Sequence, residues 1–168
     1  MSLLQINKTV ADGSSTAISV TGINSADVYA VYYHSLQTQN NNETLSLRIT
    51  KSSTADTTNN YSQGRWHVSS IQDCEGVGFN NFGAFRLADN VHNGDGGSQG
   101  IITCFDFNSS SEFSYLTTNS VEIVSNQSMG NNSGGVHKVA SASDGISIYG
   151  NSGGTFVSGG SLVLYKVI

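Results

Sequence analysis

The sequence predicts an all-β protein on three observations. Apolar residues recur with a period of two, no stretch carries a helical stripe, and strand-sized runs are punctuated by Gly, Asn, Asp and Ser. The clearest alternation is Leu45-Ser46-Leu47-Arg48-Ile49, which places three apolar side chains on one face of a half-buried strand and polar ones on the other.

Taken in order, residues 6–10 and 17–23 read as two strands. The Asp12-Gly13 turn between them makes a hairpin the expected connection. Residues 28–34 combine β-branched and aromatic side chains without a polar alternate, which suits a strand buried on both faces. That strand is expected beside the Leu45 strand, joined to it by the polar loop 37–43. Residues 66–71, 83–87 and 101–107 are further short apolar runs, and 121–124 is another. The low-complexity stretch 126–135 reads as an exposed, mobile loop. Residues 136–142 then lead through Asp144-Gly145, a second hairpin signal, to Ile146-Ser147-Ile148-Tyr149. Residues 161–168 form a closing apolar strand that must be paired inside a sheet. About ten antiparallel strands at this spacing predict a β-sandwich or jelly roll, with a β-barrel as the alternative. No linker or fixed-period repeat divides residues 1–168, so one domain is expected.

Composition narrows the function. Charged residues are only 11% of the chain, the formal net charge is -5, and no run of Lys or Arg exists to neutralise phosphates or anionic headgroups. Nucleic acid and membrane surfaces are therefore not the expected partners. Proline is absent, so turns fall to Gly, Asn, Asp and Ser. The first residues lack the basic and apolar regions of a signal peptide, which implies synthesis in a reducing cytosol with Cys74 and Cys104 as free, buried thiols.

No catalytic set emerges. His34, His67, His92 and His137 are dispersed, although strand pairing could bring His34 and His67 together. Asp73 and Glu75, two apart on an extended segment, could act as paired carboxylates, but they read more simply as loop carboxylates. The loop His92-Asn93-Gly94-Asp95-Gly96-Gly97-Ser98 has a single carboxylate, too few for a calcium loop. Glycine pairs at 134–135, 153–154 and 159–160 precede no helix that could hold an anion. Neither a cofactor nor a resident metal is expected, and the chain reads as a contact protein rather than an enzyme.

Three segments resemble small virion structural proteins of tailed bacteriophages. They are Ser25-Ala26-Asp27-Val28-Tyr29-Ala30-Val31-Tyr32 followed by the Leu45 strand, Tyr61-Ser62-Gln63-Gly64-Arg65-Trp66, and the glycine-rich run from Ile146 to the closing Leu164-Tyr165. The last resembles the terminal hairpin of that group, with Lys166-Val167-Ile168 standing where Gly-Ile would be expected. The resemblance covers framework strands from Ser25 onward and implies a particle-assembled protein located in the virion. The expected role is a capsid decoration (cement) protein that bridges coat subunits, assembled as a homo-oligomer and most simply a trimer. A tail-associated or knob subunit that binds host glycans is the alternative. The expected partner surface consists of Leu3, Leu4, Tyr29, Tyr33, Tyr61 and Trp66.

Overall fold

The computed structural model describes residues 2–70, 74–124 and 127–168, and among these there are thirteen strands and no helix. In chain order they are β1 (Leu3–Val10), β2 (Ala17–Thr21), β3 (Tyr29–Leu36), β4 (Glu43–Lys51), β5 (Thr54–Ala55), β6 (Tyr61–Ser69), β7 (Glu75–Phe82), β8 (Phe85–Val91), β9 (Ser98–Phe105), β10 (Ser114–Val124), β11 (Gln127–His137), β12 (Gly145–Gly150) and β13 (Ser161–Val167). All pairings are antiparallel. One sheet runs β1-β13-β3-β9-β10-β11-β6-β7, and the other runs β2-β12-β4-β5 with β8 also paired to β4.

The expected all-β sandwich is what forms, and its strand order defines a jelly roll. Strands β1-β13-β3-β9 of the large sheet face β2-β12-β4-β8 of the small one, and the chain crosses repeatedly between them. The hairpin-like pairs β6-β7 and β10-β11 are additions to this frame. They extend the large sheet beyond β9 and carry it round β8, which packs against β10, β11 and β6. The sandwich therefore has an apolar half between the two sheets and a half-barrel at one end.

Alternation explains the apolar half. Tyr29, Val31 and Tyr33 of β3, Leu162 and Leu164 of β13 and Ile102 of β9 face Ile18, Val20, Leu45, Leu47, Ile49, Ile146 and Ile148 from the small sheet. The same alternation leaves Tyr32 and His34 outside, so β3 is covered on one face only and not on both. In the half-barrel many of the inward residues are polar: Thr118 and Glu122 of β10, Asn131, Ser133 and His137 of β11, and Gln63 and Arg65 of β6, beside Leu116 and Tyr61. Most of them are joined by hydrogen bonds, such as Gln63 Nε2 to Ser133 Oγ at 2.9 Å and Asn131 Nδ2 to Glu122 Oε1 at 2.6 Å. Buried polar groups stay in place only when paired in this way.

Several expected neighbours are separated. Strands β1 and β2 do not form a hairpin, because β1 pairs β13 and β2 pairs β12 in opposite sheets. Nor does β3 lie beside β4, and the connection through residues 37–42 crosses from one sheet to the other. Asp144-Gly145 opens β12 instead of turning a hairpin. Asp144 fastens the strand end by accepting from Thr50 Oγ1 at 2.6 Å and from Ser53 N at 2.7 Å. The closing segments β12 and β13 also lie in different sheets, so no terminal hairpin forms. The stretch expected as a mobile loop is strand β11, paired along its length with β10 and β6, except that residue 126 lies outside the described residues. Of the two cysteines, both free, Cys104 is buried but Cys74 is exposed, because it lies just ahead of β7.

Candidate functional site

The titratable residues can be placed first. Arg65 and Asp89 form an ion pair inside the half-barrel, with the Arg65 side chain 2% exposed. Glu122, also inside, has its carboxyl pushed up to about 7 by burial, against the opposing pull of Asn131 and Arg65. Arg65 and Glu122 are buried and only Asp89 is partly exposed, so the cluster ties β6, β8, β10 and β11 together.

His137 is fully buried, with Nε2 3.3 Å from Asp56 Oδ2. Burial lowers its pKa, so it stays neutral and packs against Tyr61, ring centroids 4.6 Å apart. Burial alone would raise the Asp56 carboxyl, but hydrogen bonds from Thr58 and the Lys51 ammonium hold it down at about 2. His34 and His67 do not meet, since β3 and β6 are separated by three strands. His67 lies 3.3 Å from the exposed Glu75 and His92 3.7 Å from Asp95. Asp73 lies outside the described residues, so the Asp73 and Glu75 pair does too. Among the described residues no three His, Cys, Asp or Glu side chains converge as a metal site. In the His92 loop, the backbone N–H groups of Asn93 and Gly94 donate to Asn41 Oδ1 and Gln37 Oε1, which ties the loop to the segment before β4.

What the fold presents outward is a broad sheet face. On the half-barrel side, alternate residues of β10, β11 and β6 point to solvent. Among them are Tyr115, Val121 and Ile123 from β10 and Trp66 and Val68 from β6, with Trp66 53% and Val121 50% exposed. Strand register sets their arrangement. Val68, Gly130 and Val121 stand in one cross-strand row, and Trp66, Asn132 and Asn119 in the next, with Asn132 Nδ2 donating to Asn119 Oδ1 at 2.7 Å. A third row is Thr117-Gly134-Gly64-Gly78, three glycines side by side across three strands. A Cβ added at Gly64 or Gly78 would meet nothing, so this row is a trough with backbone for its floor. The Trp66 ring borders it and lies on Gly76, where an added Cβ would come within 2.8 Å of the indole. Soluble monomers seldom leave large apolar side chains grouped in this way.

The residues expected at a partner surface divide cleanly. Trp66 is on this face, and Leu3 and Leu4 are exposed on the edge strand β1. Tyr29, Tyr33 and Tyr61 are core residues, 0%, 3% and 0% exposed, and their side chains cannot reach a partner. Tyr29 OH donates to Asn24 Oδ1 at 3.1 Å, and Tyr61 OH donates to the Asp56 carbonyl at 2.8 Å. Burial pushes the Tyr33 hydroxyl up to about 12. The Tyr29 and Tyr61 rings fit the interior because their hydroxyls reach polar partners, as buried tyrosines usually do. Sequence reasoning missed Tyr115, Val68, Val121 and Ile123, although the alternation Tyr115-Leu116-Thr117-Thr118-Asn119 was present to be read. Compared with known proteins, the chain matches no family model, no curated protein and no solved structure at a significant level.

Proposed function

We propose that this chain is a non-enzymatic structural protein of a phage virion, made in the host cytoplasm, and that it works as a capsid decoration (cement) protein bridging and stabilising coat subunits. The observation that supports this reading is the outer face of the half-barrel. Trp66, Val68, Tyr115, Val121 and Ile123 stand there uncovered on a regular hydrogen-bonded sheet, and the polar network behind them keeps that sheet rigid. A rigid, mostly neutral face loses little entropy when a partner covers it, and exposed Trp and Tyr are the side chains that most often dominate such contacts. The second large exposed group, Leu3 and Leu4 on the sheet edge, suits a contact between copies of the chain in a homo-oligomer, with a trimer the simplest form.

The test is rebinding to particles depleted of the protein. Saturable rebinding to the shell, accompanied by resistance to heat or osmotic shock, supports the decoration role; attachment only at the tail or to host cells refutes it.

The glycine trough favours a second reading, a tail-associated or knob subunit that binds host glycans. An exposed indole beside the Asn132 and Asn119 amides, above a floor with no side chains, offers a sugar ring both stacking and hydrogen bonds. Quenching or enhancement of the single tryptophan's fluorescence by host-surface glycans, absent with particles alone, would favour this reading over the first.

A further inference from the structure

The small sheet carries a cleft on its outer face that neither reading uses. The chain has twelve acidic residues and only seven Lys and Arg, three of them Arg, yet two of those arginines converge here. Register builds the site. Tyr149 of β12, Ser46 of β4 and Arg86 of β8 stand in one cross-strand row, and Arg48 follows Ser46 two residues along the same strand. Ser46 is small and 2% exposed, so it forms a floor with Tyr149, Arg48 and Arg86 as walls. The cleft is about 380 Å³, and Phe82 and Gly83 complete its rim. A second hollow of about 370 Å³ continues past the Arg48-Tyr149 wall toward Thr16 and Ser147, and Asn151 borders both. Among the described residues no carboxylate lines either hollow.

Both guanidinium groups are held in place, and neither is closely paired with a carboxylate. Arg48 lies over the Tyr149 ring, its Cζ 4.4 Å from the centroid, and its Nε donates to the Gly83 carbonyl at 2.9 Å. Among the described residues it forms no ion pair. Arg86 lies over Phe79 at 4.8 Å. Its nearest carboxylate oxygen, on Asp89, is 3.9 Å away, and Asp89 already pairs with Arg65 and accepts from Thr44 Oγ1. Two oriented planar forks with unspent donors suit a planar anion that accepts two hydrogen bonds side by side, which describes a carboxylate. The rest of the lining combines hydroxyl, amide and aromatic side chains, which receive sugar hydroxyls and a ring face, with small residues such as Gly83 and Ala84 that leave room for a ring.

We propose that the cleft between Arg48 and Arg86 binds a carboxylate-bearing saccharide, with the carboxylate held by the two guanidinium groups, the ring against the Tyr149 and Phe82 side of the cleft, and hydroxyls bonded to Ser46 and Asn151. A second sugar unit extends into the hollow toward Ser147. This assignment uses none of the residues of the outer half-barrel face and is independent of its proposed role.

The test titrates the full chain with digalacturonate and with N-acetylneuraminate, each beside its methyl ester, and follows the Arg Nε and backbone amide signals by NMR. Saturable shifts at Arg48, Arg86 and Tyr149 with at least one acid are expected, and the matching ester should bind at least about tenfold more weakly because the charged acceptor is gone. The Arg48→Gln, Arg86→Gln double variant should lose the shifts while keeping a dispersed spectrum. Absence of saturable shifts with both acids overturns the proposal, as does an ester that binds equally well. Acetate binding as tightly as either sugar acid overturns the saccharide assignment. Should the double variant not fold, the comparison of acid with ester on the wild-type chain still decides.

Discussion

Replacing Glu122 by Gln changes one atom of a side chain inside the half-barrel, and the structure sets both the sign and the size of the effect. Glu122 projects inward from β10 and is 1% exposed. Asn131 on β11 donates to one carboxylate oxygen at 2.6 Å, and Ser98 on β9 donates to the other at 3.5 Å. Arg65 on β6 favours its charge but is committed to Asp89 on β8, whose own charge opposes it. Burial outweighs these, and the carboxyl rises from 4.5 to about 7. Between those values the folded protein keeps a proton that the unfolded chain has lost. Glu122's stabilising contribution is therefore complete below 4.5 and is lost as pH rises through about 7.

At 1.36 kcal/mol per pH unit, the interval corresponds to about 3 kcal/mol. Glutamine keeps the acceptor for Asn131 and carries no charge to bury. The Glu122→Gln variant should therefore match the wild type near pH 4.5 and exceed its unfolding free energy by about 3 kcal/mol near pH 8. Urea denaturation of both proteins across this range measures the difference. Parallel stability curves, or a variant less stable than the wild type at alkaline pH, would refute the reasoning.

Other predictions follow from the same contacts. His137 is kept neutral by burial, so its own contribution to stability should start to fall as pH drops below 6.5 and continue falling until the folded imidazole protonates; by the same urea assay, the wild type's advantage over His137→Gln should shrink across that range, and a constant difference would contradict it. A Cβ at Gly145 would stand 2.1 Å from the Val20 carbonyl oxygen and 2.8 Å from the Thr21 Cα, backbone atoms that cannot swing aside, so Gly145→Ala should lose about 1 to 3 kcal/mol. Gly64→Ala, with open space above it, should leave the thermal midpoint within about a degree or two while filling the trough, which calorimetry can check. A thiol reagent should label Cys74 at once and Cys104 only on unfolding, because Cys104 is fully buried and burial raises its thiol pKa; simultaneous labelling would contradict the packing of β9.

The apolar half of the fold was legible because its chemistry alternates. Leu45, Leu47 and Ile49, and likewise Leu162 and Leu164, advertise one buried face. The half-barrel was not legible for the opposite reason. In β11 the inward positions are Asn131, Ser133 and His137 and the outward ones include Gly130, Asn132 and Gly134, so hydrophobicity never alternates although the backbone does. The short β4-β5 hairpin escaped as well. Its turn puts Ser52 and Ser53 at φ 48° and 61°, a geometry for which Asn-Gly is the usual signal.

Pairing order was the other gap. Asp12-Gly13 and Asp144-Gly145 look like hairpin turns, but Gly13 lies in a crossover between sheets and Gly145 opens a strand. For the site, size and aromaticity marked Tyr29, Tyr33 and Tyr61 as readily as Trp66. Only strand parity separates them: the three tyrosines fall on inward positions and Trp66 on an outward one.

The central claim is that the outer half-barrel face is a contact surface of an assembled particle. Its most direct test is rebinding of Trp66→Ser and of a Val68→Lys, Val121→Lys variant to particles depleted of the protein, with the wild type alongside and folding checked by calorimetry. Folded variants whose binding falls by about thirtyfold or more are expected, since removal of a buried aromatic anchor costs about 2 kcal/mol. Wild-type binding that both variants reproduce at full affinity would contradict that claim.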